Sequence, residues 1–137
     1  MVVNISFTEL SDYIKCHYKQ TLSFSRISAK EVKISYEKDI IVTTINVPVN
    51  IIIENVESDA VTIAYSGNFG IEMIIAGVMA FIKAQIPVLS NTLVSEEGHQ
   101  IRILLSNLEQ TKALVDAISL EDIEITETGI QLSASLK

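Results

Sequence analysis

A single cysteine, Cys16, excludes an internal disulfide, and with only two histidines beside it no close ligand spacing exists from which to build a zinc site. Glycine (five) and proline (two) are too scarce for a disordered or low-complexity chain. The 48% of hydrophobic residues can instead offset the entropy of ordering the backbone. A chain of 137 residues buries roughly two-thirds of its unfolded surface. One domain over residues 1–137, with no cofactor, is therefore expected. Long hydrophobic runs are also missing. The longest spans residues 73–82 between Glu72 and Lys83, about half the ~20 residues a membrane helix needs.

Basic charge is scarce as well. Ten Lys and Arg stand against 17 Asp and Glu, a net charge of −7, which disfavours phosphate backbones and anionic lipid as partners. The N-terminal "MVVNISF" lacks a basic segment followed by an apolar one, and together with the lone cysteine this points to the reducing cytoplasm. No calcium loop, dinucleotide fingerprint, or set of acid, base and nucleophile stands out, so the sequence leans away from an enzyme. Cys16 and His17 are neighbours on a helix and diverge by about 100°. His99 beside a turn reads as an exposed histidine. The acidic group Glu121, Asp122, Glu124 and Glu127 reads as solubilising charge on an edge hairpin.

What is present is strong periodicity. Ser6 and Glu9 form a capping box that opens an amphipathic helix near Phe7 and lets it run to about Gln20. The period then changes to two. Leu22 and Phe24 share parity with Val32, Ile34 and Tyr36, with a bulge expected near Ser28. "EKD" reads as a turn, and apolar odd positions from Ile41 to Ile53 read as one long strand, which Pro48 places at an edge or a bend. Val61, Ile63 and Tyr65 make a further strand. After the apolar stretch at 70–87 come short strands at 88–94 and 100–105. A second capping box, Ser106 with Glu109, opens another helix. A closing hairpin through "ETG" follows, with Gly129 suiting a positive φ. The order αβββαββαββ with short connections predicts an α+β fold: a mainly antiparallel curved sheet of about seven strands packed on a central apolar helix.

That central helix is "GIEMIIAGVMAFIKAQIP". At about 100° per residue, Ile71, Ile74, Ile75, Val78, Met79, Phe81, Ile82 and Ile86 form a broad bulky face, expected to fill the core. Met73, Ala76, Gly77, Ala80 and Ala84 form a second, mostly small face, with Glu72 and Lys83 on a narrow polar edge. The small face has three readings: close packing within the chain, an oligomer interface, or one wall of an apolar cavity. Tyr36 and Tyr65 are the polar groups suited to orient a ligand in such a cavity. Two functions are expected from this pattern. The first is a non-enzymatic intracellular module that self-associates or binds a protein partner. The alternative is a carrier of an apolar small molecule or lipid between the sheet and helix 71–86.

Overall fold

A computed structural model describes every residue except 69, 108–112, 114 and 115, together with all side chains of the described residues except those of residues 40 and 88. The elements run β1 (Val2–Ser6), α1 (Phe7–Tyr18), β2 (Leu22–Ser28), β3 (Glu31–Ile40), β4 (Thr43–Val56), β5 (Ala60–Gly67), α2 (Ile71–Gln85), β6 (Leu93–Glu96), β7 (Gln100–Leu104), β8 (Ile118–Ile125) and β9 (Gly129–Leu136). Short 3-10 turns occupy Pro87–Leu89 and Leu105–Asn107. The helix predicted after Ser106 falls largely outside the described residues.

The α+β class and the antiparallel pairing agree with the sequence, but the single seven-stranded sheet does not. Among the described residues the strands form two antiparallel sheets, one of six in the order β2-β3-β4-β5-β7-β6 and one of three in the order β1-β9-β8. The smaller sheet depends on β1, which periodicity missed because "VVNIS" is too short to show alternation. Its residues Val2 to Ser6 pair with Ser133 to Gly129 at the far end of the chain. The sheets meet where the Ile125 N–H donates to the Ala29 carbonyl at 2.7 Å and the Arg26 Nε–H donates to the Ile125 carbonyl at 3.0 Å. Lys30 adds an ion pair to Asp122 and a 2.6 Å bond to the Ile123 carbonyl. Asp122 is thus a link between sheets rather than a free solubilising charge.

Locally the chain follows its chemistry closely. The Glu9 N–H donates to Ser6 Oγ at 3.0 Å, and the Ser6 hydroxyl donates to Glu9 Oε1 at 3.0 Å, so the cap closes as the motif requires. Helix α1 ends at Lys19, whose φ of 58° stops the helical repeat, and its Phe7 ring stacks on Phe24 of β2 at 5.6 Å. The bulge in β2 lies between Arg26 and Ser28.

Two turns differ from the sequence reading. "EKD" continues β3, and the turn falls at Ile41 and Val42, both strongly exposed. No glycine or asparagine marks that turn, which is why turn chemistry pointed elsewhere. The predicted strand at 88–94 begins only at Leu93, because Pro87 opens a 3-10 turn. Pro48 lies just past Val49↔Gly67, the last pair between β4 and β5, where a missing N–H costs no strand bond.

Among the described residues the buried apolar ones are Val32, Val49, Ala60, Val61, Ile71, Ile101 and Ile125, spread along both sheets rather than gathered under α2. The helix at 71–86 is not central. Ile71 is its one buried residue among those described, lying over Gly67 with its side chain 2.8 Å from where a Cβ on Gly67 would stand. Its bulky face is only half covered, since Ile74, Ile75, Met79, Phe81 and Ile82 keep intermediate exposure and Val78 is 42% exposed. Of the strands expected in one sheet, β8 and β9 pair with β1 in a second sheet instead, and the six-stranded sheet that remains leaves most of the helix uncovered.

Candidate association surface

Helix α2 leaves the end of β5 through "SGNFG". Gly70 caps it at φ 88°, a conformation open to glycine without strain. The Met73 and Ile74 N–H groups donate to the Gly70 carbonyl at 3.1 and 3.2 Å. At the other end, the Tyr18 ring of α1 meets Phe81 edge-on at 6.4 Å. With Ile71 over Gly67, these contacts fix which way the helix faces.

The outward face is the small one. Met73 is 81% exposed, and Ala76, Gly77, Ala80 and Ala84 are exposed with it. A Cβ added to Gly77 would meet nothing within 4 Å. Close packing of this face within the chain, the first of the three sequence readings, is therefore not what the fold does with it. Beside it, Tyr65, Glu72, Ile75, Ala76, Met79, Ala80, Lys83 and Ser95 line an open groove of about 380 Å³. The structure thus brings Tyr65 together with Ala76 and Ala80. Met73, Gly77 and Ala84 are not among the groove-lining residues. Tyr36 stands apart, half-buried in β3 opposite Leu22 and Val47.

One polar cluster borders the groove. The Tyr65 ring stacks on His99 at 5.1 Å with the planes 13° apart, and His99 Nε2 donates to Glu72 Oε1 at 2.7 Å. His99 holds a φ of 58° in the β6–β7 turn, where its carbonyl accepts the Tyr65 N–H at 2.9 Å. Sequence reasoning missed this cluster, because its members sit on a strand, a helix and a turn, and only the fold brings them together. The cluster ties the β6–β7 turn to the first turn of α2. Both partners of this hydrogen bond are well exposed, His99 at 45% and Glu72 at 74%. Its energetic worth is small, and its effect is to position.

A second hollow of about 460 Å³ lies beside Asp12, Lys15, Cys16, Lys19 and Thr21 on α1, with Cys16 exposed. Among the described residues, no group of three or more His, Cys, Asp and Glu side chains is placed to hold a metal ion, and no helix is long and apolar enough to cross a membrane. The chain matches no family model, and no curated protein or solved structure matches it.

Proposed function

We propose that this protein is a non-enzymatic module that works by association, with the outer face of α2 as its docking surface for another protein chain. The observation that carries this reading is that a helix apolar on nearly every side buries only Ile71 among its described residues. The accessible surface supports it. The chain exposes 8611 Å², against about 7,100 Å² for a compact monomer of its 15.1 kDa mass. The excess, about 1,500 Å², belongs to the chain as a whole, and the exposed side chains of α2 contribute to it. A contiguous apolar face of this kind marks an interaction site in a folded protein.

The groove supports a second reading, an apolar small molecule or lipid held between the sheet and α2 beneath Tyr65. Its open form suits a side chain or helix of a partner better than a carried ligand, because carriers enclose most of the ligand surface. Native mass spectrometry of the purified protein separates the two: a co-purified lipid mass supports the carrier, and its absence counts against it.

The association reading is tested by placing a photo-cross-linking amino acid at Ala80 in cells. A covalent adduct with a protein chain is expected, with no such adduct when the same group replaces the exposed Lys33 of β3, two strands across the sheet from β5. Illumination that yields no protein adduct at Ala80 overturns the reading.

A further inference from the structure

We infer that the occupant of the outer α2 face is a second copy of this chain, its α2 lying antiparallel to the first across a two-fold axis near Gly77 and Val78. This rests on the reading that the face is an association surface, and it adds the partner and the orientation. The charges choose both. Glu72 and Lys83 are 11 residues apart, which at about 100° per residue brings them to within about 20° of one angular position on the helix. Along the axis they are separated by about 16 Å, too far to pair within one chain. Lys83 has no carboxylate partner among the described residues, and the Glu72 carboxylate, 74% exposed, has only His99.

The midpoint between these two charges falls between Gly77 and Val78. A two-fold axis there, perpendicular to the helix, reverses the second helix and exchanges the two heights. Glu72 of each copy then meets Lys83 of the other, on the same flank of the contact. A parallel pair would instead set Glu72 level with Glu72 and Lys83 level with Lys83. Gly77 sits at the crossing, with Ala76 and Ala80 within one turn of it, so the backbones approach most closely where the axis passes. The polar edge is thus self-complementary in one orientation alone, as a two-fold contact requires.

Charge reversal tests this. Glu72→Lys and Lys83→Glu each set like charges against each other in the antiparallel pair. A 1:1 mixture of the two single variants restores both attractions, because one chain then carries two positive charges on its polar edge and the other two negative charges. Light scattering is expected to give twice the chain mass for the unmodified protein. Each single variant should weaken dimerisation at least tenfold, and the mixture should regain the dimer mass. Three results overturn the inference: an unmodified chain that stays monomeric at every concentration, single variants that dimerise as well as the parent, or a mixture no heavier than its components.

Glu72→Lys also removes the bond to His99, so cross-linking provides a test that leaves Glu72 intact. In a Cys16→Ser background, Met73→Cys and Ala84→Cys chains are mixed and oxidised. The antiparallel pair puts these positions within about 3 Å of each other along the axis and yields the mixed disulfide. Same-position disulfides alone, or none, overturn the inference. The photo-cross-link at Ala80 separates the two proposals: an adduct with a different protein removes the second copy and leaves the association surface standing, whereas no adduct removes both.

Discussion

The backbone at Gly129 passes so close to Ile5 that a Cβ built on Gly129 would collide with the Ile5 carbonyl oxygen and stand 2.7 Å from the Ser6 Cα. Gly129 does not have a positive φ, so what it supplies is room rather than conformational freedom. This contact joins the two ends of the chain. Ser6 pairs with Gly129, and the Phe7 N–H donates to the Thr128 carbonyl at 2.8 Å just where β1 becomes α1. Gly129→Ala must therefore push two backbones apart, and an expected loss of roughly 3 kcal/mol is at the upper end for overpacking. Urea unfolding followed by circular dichroism reads it; a midpoint within error of the parent would refute the close approach.

At the same junction Ser6 caps α1 by accepting the Glu9 N–H at 3.0 Å. Ser6→Ala leaves that donor without its partner and is expected to cost about 1 kcal/mol. Ser6→Gly should cost only a few tenths, since a glycine cap lets water reach the donor. The order of the two unfolding midpoints decides the matter.

The Asp122 carboxyl is held below the usual aspartate range, first by its hydrogen bond from Lys30 and also by the Lys30 charge and the Ile123 N–H, which donates to it at 2.9 Å. A carboxyl lowered in the folded state stabilises fully above its unfolded value and loses that contribution as pH falls through the lowered one. With side chains 43% and 51% exposed, solvent screening keeps the contribution below roughly 1 kcal/mol. Asp122→Asn should therefore cost stability near neutral pH, and the gap from the parent should close as pH falls below about 4. Parallel urea titrations at the two pH values show whether the gap persists; a constant gap would mean that the ion pair does not link the sheets.

Gly77 occupies the interior of α2 with open space where a Cβ would go. Gly77→Ala is expected to stabilise the isolated chain by up to ~1 kcal/mol through helix propensity. If the helices cross at this residue, the same methyl group weakens association. Opposite signs in dilute unfolding and in concentrated light scattering are the expected signature. A change of the same sign in both would place the crossing elsewhere.

Much of the local structure is legible in the residues. Ser6 and Glu9 specify a cap whatever surrounds them, and alternation in residues 22–36 places Leu22, Phe24, Val32, Ile34 and Tyr36 in matching register. Such signals are short-range. The period of the side chains and the hydrogen-bonding reach of a hydroxyl act within a few residues, so no knowledge of the rest of the chain is needed. The outer face of α2 was legible in the same way, as a set of small residues apart from Met73.

Pairing across the chain arises only in three dimensions. That β1 joins β9, that Asp122 meets Lys30, and that Tyr65, His99 and Glu72 converge are facts about residues from 27 to 131 positions apart. Alternation says that a strand has a buried face but not which strand lies beside it, because every antiparallel partner offers the same ladder of N–H and C=O groups. The same gap explains Gly129, whose constraint comes from Ile5 at the opposite end of the chain. For α2 the residues alone specify a helix with one bulky and one small face, since its period depends on nothing outside it. Which face the rest of the fold would leave uncovered depended on where the strands went, and they went into two sheets.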